Sequence, residues 1–153
     1  MKTAIITANT QGYQDKVESK AGKAVQRLME QAAFQTVLNA TLPEDEKILT
    51  TFLNKLIDDK LVDVIFTIGS NGVKPTDIIP EVTTKVVDRM LPGVAEGIRA
   101  YNIRYSKRHM SDRSVAGVRE NTLVINLPGT EKAAHDSVEY ILPELPYIIE
   151  NMK

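Results

Sequence analysis

Short, apolar, β-branched segments alternate with longer amphipathic segments in the first half of the chain, and this alternation constrains the fold more than any other feature. Strands are predicted at residues 3–8, 36–41 and 62–68, because each segment is short and rich in Val, Ile, Leu, Thr or Ala. Helices are predicted at residues 21–33 and 48–57, because apolar side chains recur there at three- and four-residue spacing. This order predicts an α/β fold of three α/β/α layers around a mostly parallel sheet.

The second half of the chain continues the pattern less regularly. Helices are predicted to begin at Pro80 and to cover residues 94–101, and the apolar residues 123–127 predict another strand. A helix is expected over residues 130–141, with Thr130 as its N-terminal cap.

Length and composition limit the class of protein. The 153 residues are expected to form one domain, residues 1–153, and a net charge of −1 gives no overall field for holding nucleic acid. The chain has no cysteine, which excludes disulfides, thiolate metal sites and cysteine nucleophiles. No apolar run reaches membrane-spanning length, and the N-terminal run is too short for a signal peptide. A cytoplasmic protein with small-molecule or protein partners, and neither nucleic acid nor membrane, is expected.

The best candidate for a ligand site is the loop that directly follows the third predicted strand. In open parallel sheets ligands bind beyond the carboxyl ends of the strands, so the loops after Ala8, Ile68 and Leu127 are the places to search. The loop after Ile68 is Gly69-Ser70-Asn71-Gly72, and its two glycines would let backbone amides approach a phosphate closely. A plain tight turn is the alternative for so short a motif.

A longer segment around this loop resembles the Mog/MoaB family of molybdenum-cofactor biosynthesis proteins. Residues 67–81 run from a strand through the glycine loop to an acidic residue, Asp77, and a helix start at Pro80-Glu81, with the spacing of that family and no gap. Further family-like segments follow in the same order: Asp88-Arg89, Pro92-Gly93, Arg113, residues 115–118, residues 126–130 and residues 142–146. The resemblance covers nearly the whole chain and is strongest between residues 62 and 130.

The resemblance implies the molybdopterin-binding fold and transfer of AMP from ATP to the terminal phosphate of molybdopterin, with Mg²⁺. It implies that Asp77 and Glu44 are catalytic acids that hold the magnesium ion, with Asp45 as the substitute for Glu44. It also implies a homo-oligomer, a trimer or a hexamer. Resemblance and side-chain chemistry together give the expected contacts to phosphate and pterin: Gly69, Ser70, Asn71, Gly72, Lys74, Arg113, Asn126, Pro128, Gly129 and Thr130.

Each candidate also has a structural interpretation. A turn or a helix cap is the alternative for Asp77. Pro43 and the acidic residues 44–46 are expected in the first turn of a helix, where the helix dipole favours acids. A surface ion pair is the alternative for Arg113, and a plain strand-to-helix connection is the alternative for residues 128–130.

Four places differ from the family pattern. Ser70-Asn71 replaces Gly-Thr, Thr76 replaces Arg, Ile79 replaces Thr, and Asp112 replaces Ser. Ser70 adds a Cβ to the glycine loop, which would cost about 1 kcal/mol if the loop requires a left-handed or crowded backbone at this position. Thr76 and Asp112 make the proposed phosphate site less positive. The sequence therefore leaves two main hypotheses, an adenylyltransferase and a non-catalytic pterin- or nucleotide-binding homologue, with a structural subunit that binds no ligand as the third.

Overall fold

A six-stranded sheet forms the centre of the computed structural model, which describes all residues from Met1 to Lys153. The strands are β1 (Lys2–Ala8), β2 (Gln35–Leu42), β3 (Val64–Ile68), β4 (Arg89–Met90), β5 (Ala116–Arg119) and β6 (Thr122–Leu127). Their order across the sheet is β2-β1-β3-β6-β5-β4. The first four of these are parallel, whereas β5 and β4 pair antiparallel at one side. The predicted, mostly parallel sheet is confirmed.

Helices cover both faces of this sheet. They are α1 (Thr10–Asp15), α2 (Lys20–Gln31), α3 (Glu46–Asp58), α4 (Ile79–Val86), α5 (Pro92–Ile103), α6 (Glu131–Ile141) and α7 (Leu145–Asn151), with short 3-10 helices at Lys107–Ser111 and Leu142–Glu144. One core cluster joins the sheet to α3 and α4, and a second joins it to α2, α5, α6 and α7. The three predicted layers are therefore confirmed. None of these helices is both long enough and apolar enough to cross a lipid bilayer.

The central strands are buried on both faces. In β1, Ile5 belongs to one core cluster while Ala4 and Ile6 belong to the other, and all three side chains are fully buried. This arrangement explains why parallel strands appear as continuous apolar runs instead of alternating ones. Full burial of a side chain such as Leu53 of α3, which packs on this sheet, contributes about 2 kcal/mol of hydrophobic stabilisation.

Helix α3 begins later than the sequence pattern predicts. Its first residue is Glu46, and Asp45 is the N-terminal cap, with its Oδ1 accepting a hydrogen bond from the Ile48 N–H at 2.9 Å. The prediction that Pro43 and Glu44 lie in the first turn is wrong, because the Asp45 side chain satisfies one of the free N–H groups that define the helix start. Glu44 is thereby left in the loop, outside the helix.

Several short elements were not predicted. The polar segment after β1 forms the six-residue helix α1, whose cap Asn9 accepts a hydrogen bond from the Gly12 N–H at 3.1 Å. Strands β4 and β5 have only two and four residues. Their pairing depends on neighbours across the sheet, so their own sequence carries little periodic signal.

The carboxyl ends of the parallel strands lie side by side. Thr7 of β1 pairs with Thr41 of β2 and with Ile68 of β3, and Ile68 pairs with Leu127 of β6. The loops after these four strands therefore meet at one edge, which we call the carboxyl edge.

The opposite end of the sheet, the amino edge, carries three turns with left-handed backbone. Ala33 before β2, Lys60 before β3 and Glu120 before β6 have φ angles of 67°, 54° and 52°. Each of these residues lies in the connection between the end of one helix or strand and the start of the next strand. The amino edge thus contains the turns that set where the strands begin.

Candidate functional site

A pocket of about 230 Å³ opens at the carboxyl edge, where the loops after β1, β2, β3 and β6 meet. The sequence-predicted residues that line it are Glu44, Gly69, Ser70, Lys74, Asp77 and Gly129. The other lining residues are Thr7, Ala8, Asn9, Ile68 and Thr76. Two carboxylates and one ammonium group are therefore brought to one place, Glu44 from the loop after β2 and Lys74 and Asp77 from the loop after β3.

Two glycines let the loops after β3 and β6 touch through their backbones. Gly69 has a φ of +84°, and a Cβ at this position would lie 3.3 Å from the carbonyl oxygen of Ala8. A Cβ on Gly129 would lie 3.3 Å from the Cα of Gly69. Any side chain at Gly69 would therefore be strained and crowded, and one at Gly129 would push the loops apart.

The glycine loop leaves four successive backbone amides free. The N–H groups of Ser70, Asn71, Gly72 and Val73 donate no hydrogen bond within the chain, whereas the N–H of Gly69 donates to Leu127 O at 3.1 Å. Consecutive amides without partners are the donors from which anion-binding concavities are built. The loop can therefore receive a phosphate group.

Ser70 has a left-handed backbone, with a φ of 58°. Ser70 therefore carries a Cβ at a position with glycine-like backbone, which is the strain that the sequence predicted. The Ser70 hydroxyl donates a hydrogen bond to Glu44 Oε2 at 2.9 Å and accepts one from the Ile78 N–H at 3.0 Å. These contacts join the glycine loop to the segments on either side of the pocket.

Glu44, rather than Asp45, brings its carboxylate to the pocket. The Glu44 side chain is half-buried against Ser70, and the Glu44 N–H donates to Thr10 Oγ1 at 2.9 Å. Asp45 is exposed, caps α3 and does not line the pocket. The structure therefore separates two neighbouring acids that the sequence left as alternatives.

Asp77 closes a turn and lines the pocket at the same time. Its Oδ2 accepts a hydrogen bond from the Lys74 N–H at 3.0 Å, and its own N–H donates to Lys74 O at 2.9 Å. It does not cap α4, because the residue at the cap position is Ile78, which makes no side-chain cap bond. The turn interpretation is correct for Asp77, and the helix-cap interpretation is wrong.

The Arg113 guanidinium holds the glycine loop from outside the pocket. Its Nε donates to Gly72 O at 2.7 Å, and its Nη2 donates to Asp77 O at 2.8 Å. Its two Nη atoms also contact both carboxylate oxygens of Glu81, at 2.8 and 3.1 Å. This hydrogen-bonded ion pair lowers the pKa of Glu81 below its usual value and raises the pKa of Arg113. The Arg113 guanidinium, which was expected to bind phosphate, is therefore bound to the Glu81 carboxylate of the same chain.

Asn126 is a buried residue near the carboxyl end of β6 and does not line the pocket. Its Nδ2 donates to Thr67 Oγ1 at 2.8 Å and to Thr83 Oγ1 at 2.9 Å. Its Oδ1 accepts a hydrogen bond from the Val115 N–H at 3.0 Å. The expected ligand contact at Asn126 is replaced by an internal network that joins β3, β6, α4 and the segment before β5.

The other predicted contacts that lie outside the pocket have structural partners or are buried. The buried Asn71 donates from Nδ2 to Leu127 O at 2.6 Å, which ties the glycine loop to the end of β6. Thr130 caps α6 as predicted, accepting from the Ala133 N–H at 3.3 Å. Pro128 is buried beside it. Gly72 also lies off the pocket, below the Arg113 side chain.

The pocket continues into a wider groove. The sequence indicated only the loop after Ala8 as a possible part of this groove. A hollow of about 280 Å³ shares Thr7, Asn9 and Gly129 with the pocket, and a larger one of about 610 Å³ follows it along α1, α2 and β2. Thr7 is nearly buried at the floor, and its hydroxyl has no hydrogen-bond partner. The rule that parallel sheets bind ligands at their carboxyl edge pointed to the loop after Ala8, but no motif marked individual residues there.

The carboxylates of the pocket are few. Glu44 and Asp77 are the acidic residues among its lining, and the structure contains no cluster of three or more His, Cys, Asp or Glu side chains suited to a metal ion. A dedicated protein cage for a metal is therefore absent. Mg²⁺ usually keeps several water ligands and takes one or two carboxylates together with substrate phosphates, so this pair fits a nucleotide-bound Mg²⁺.

The sequence matches a known protein family. Residues 4–147 match the family model described as "Probable molybdopterin binding domain". The molybdopterin adenylyltransferase of Helicobacter pylori (strain J99) is 30% identical over 148 residues, which are 95% of this chain and 84% of that protein.

Solved structures show the same relationship. The molybdopterin biosynthesis enzyme MoaB from Thermus thermophilus superposes with a TM-score of 0.91 at 30% identity, covering 99% of this chain and 95% of that one. The molybdopterin biosynthesis Mog protein from Mycobacterium ulcerans gives a TM-score of 0.94 at 26% identity, covering 99% of each chain. The chain therefore belongs to the Mog/MoaB family of molybdopterin-binding domains.

Proposed function

We propose that this chain acts in molybdenum-cofactor biosynthesis as a molybdopterin adenylyltransferase, which transfers AMP from ATP to the terminal phosphate of molybdopterin. The observation that carries the proposal is the pocket at the carboxyl edge, where Glu44, Asp77 and Lys74 lie beside Gly69 and Ser70, at the start of a loop whose amides at residues 70–73 have no partner within the chain. The name of the Helicobacter pylori relative supports the choice of reaction.

The reaction joins two phosphates, so its main requirements are alignment and neutralisation of negative charge. An oxygen of the terminal phosphate of molybdopterin attacks the α-phosphorus of ATP, the bond to the bridging oxygen of the β-phosphate breaks, and pyrophosphate leaves. Nucleotidyl transfer of this kind needs positioned phosphates more than covalent help from the protein. The Ser70 amide at the pocket would bind a phosphate oxygen, the amides of residues 71–73 would continue the row of donors along the loop, and Lys74 would add a positive charge at the rim of the pocket.

The proposal includes Mg²⁺ as cofactor. Glu44 and Asp77 would hold the ion, because it is hard and prefers oxygen ligands. When bound, Mg²⁺ spreads the negative charge of the phosphates. The protein's own part is to keep the two carboxylates on facing loops, so that a metal-bound triphosphate lies against the amides.

Two substrates need more room than the pocket alone provides. Its volume of about 230 Å³ lies below the range of roughly 300–1,000 Å³ that is usual for a site enclosing one drug-sized ligand. The adjoining hollows of about 280 and 610 Å³ supply the additional space. We therefore assign the groove along α1, α2 and β2 to the part of the substrates that lies away from the reacting phosphates.

The test is adenylyl transfer from ATP to molybdopterin by the purified protein, with Asp77→Asn as the central variant. Asparagine keeps the oxygen that accepts from the Lys74 N–H and loses only the charge. We expect the rate to fall at least about tenfold, since a charged group at the reacting phosphates is removed. Asp59→Asn is the matched control, because Asp59 is an exposed residue at the end of α3 in a surface pair with Lys55. Unchanged activity of Asp77→Asn contradicts the role given to this residue.

A second function, ligand binding without catalysis, is favoured by one observation. The glycine loop is altered at Ser70, whose φ of 58° places a Cβ on a glycine-like backbone where phosphate would bind. Titration calorimetry separates the two functions. ATP binding together with transfer supports the enzyme, whereas pterin binding without ATP affinity supports the binding homologue, and no binding of either supports a purely structural subunit.

Further parts of the proposal concern the chain as a whole. We propose that residues 1–153 form one domain that acts in the cytoplasm as a homo-oligomer, a trimer or a hexamer. Sedimentation equilibrium at several protein concentrations tests the oligomeric state, and a monomer at all concentrations contradicts it.

A further inference from the structure

We propose that Ser70 is a positioning residue that fixes the Glu44 carboxylate at the rim of the pocket. This inference rests on the proposed function, because it concerns how one of the two metal-holding acids is placed. Serine stands here where the family pattern has glycine, so the property belongs to this chain and not to the pattern.

The Ser70 hydroxyl lies between the two loop segments that carry the acids. It donates to Glu44 Oε2 at 2.9 Å and accepts from the Ile78 N–H at 3.0 Å, and Ile78 directly follows Asp77. Glu44 is fixed a second time through its backbone, where its N–H donates to Thr10 Oγ1 at 2.9 Å. One hydroxyl therefore links segments that are 26 residues apart in the chain.

The hydroxyl has one proton and two acceptors within reach. Glu44 Oε2 is 2.9 Å away and Thr76 O is 3.2 Å away. The shorter contact to the charged oxygen is the stronger bond, so the proton is assigned to Glu44. The other carboxylate oxygen, Oε1, accepts no hydrogen bond within the chain and is free for a ligand. Ser70 thus orients the acid without consuming its capacity to bind a cation.

The backbone conformation of Ser70 allows a substitution that distinguishes a positioning role from a role in stability. With a φ of 58°, the residue has the left-handed conformation that favours glycine. Replacement by glycine relaxes the backbone and removes the hydroxyl in one step. Relief of the left-handed backbone offsets part of the stability that is lost with the hydrogen bonds to Glu44 and Ile78, so the change in stability should be small, whereas a positioning residue also loses ligand affinity.

The experiment measures binding of Mn²⁺-ATP, with Mn²⁺ as a spectroscopic substitute for Mg²⁺, to the full chain and to Ser70→Gly. We expect the affinity to fall about tenfold, the effect of losing one hydrogen bond to a charged group. The melting temperature of Ser70→Gly should fall by no more than about 2–4 °C, because relief of the left-handed backbone offsets part of the loss of two hydrogen bonds. Ala33→Gly is the matched control, since Ala33 is an exposed residue with a φ of 67° at the amino edge. It should change the melting temperature by a similarly small amount and leave the affinity unchanged.

A double-mutant cycle identifies the partner. In the Glu44→Gln background, Ser70→Gly should cause little further loss of affinity, whereas in the Asp77→Asn background it should still cause most of its loss. Equal losses in both backgrounds, or affinity that is unchanged or increased by Ser70→Gly, overturn the inference.

A crystal structure of Ser70→Gly tests the positioning without any ligand. The Glu44 carboxylate should leave its place or occupy several conformations, and a carboxylate found in its original position overturns the inference. Failure of the unaltered chain to bind Mn²⁺-ATP would instead contradict the proposed function, so the two failures are distinguishable.

Discussion

Replacing Asn126 by alanine should destabilise the protein strongly, because this side chain is buried and makes three internal hydrogen bonds. The residue is 1% exposed, and its bonds join it to Thr67, Thr83 and the Val115 N–H. At a net contribution of about 1 kcal/mol for each bond, the free energy of unfolding should fall by about 3 kcal/mol. For a domain of this size, this corresponds to a melting temperature lower by roughly 6–12 °C.

Urea unfolding followed by circular dichroism measures this change. Asn121→Ala is the control, because Asn121 is exposed in the turn between β5 and β6 and should alter stability by less than about 0.5 kcal/mol. Since Asn126 does not line the pocket, the folded fraction of Asn126→Ala should bind ATP with unchanged affinity. A loss of less than about 1 kcal/mol, or normal stability with weakened ATP binding, would refute the structural role.

Two further perturbations follow from contacts in the structure. The pKa of Glu81 is lowered in the folded state, so its ion pair stabilises the protein at pH values above 4.5 and this stabilisation is lost as the pH falls through the lower folded value. Urea unfolding should therefore show Glu81→Gln less stable than the unaltered chain near neutral pH and nearly equal to it in acid, and an equal difference at both pH values argues against this ion pair. Gly117→Ala should lower stability by more than about 2 kcal/mol, because its Cβ would lie 2.5 Å from Val87 Cγ2 and 2.8 Å from the backbone oxygen of Arg89. Gly93→Ala, with no atom within 4 Å of the added carbon, is the control, and equal melting temperatures for the two variants would contradict the steric argument.

The parts of the fold that could be predicted are those encoded by local periodicity. Strands β1, β3 and β6 are short apolar runs whose residues are buried on both faces, and the helices α2 and α3 show their buried stripes directly in the sequence. The place of the pocket followed from the parallel order of these strands. Strands β4 and β5 escaped prediction, since their pairing is decided by partners far away in the chain.

The residues that differ from prediction do so because their partners are distant in sequence. Arg113 has the chemistry of a phosphate ligand, but Gly72 and Glu81 lie 41 and 32 residues away and occupy its guanidinium. Asn126 has an amide suited to a ligand, but Thr67 and Thr83 take both of its N–H groups. The type of a side chain predicts which groups it can bind, whereas the fold determines which of them lies within hydrogen-bonding distance.

The left-handed turns at Ala33, Lys60 and Glu120 lie at the end of the sheet opposite the pocket, and this separation has an evolutionary consequence. Mutational drift in the ligand-facing loops leaves the turns that start the strands untouched. Substitutions near the pocket therefore need not disturb the architecture, which agrees with a TM-score of 0.94 between this chain and the Mog protein of Mycobacterium ulcerans at only 26% identity.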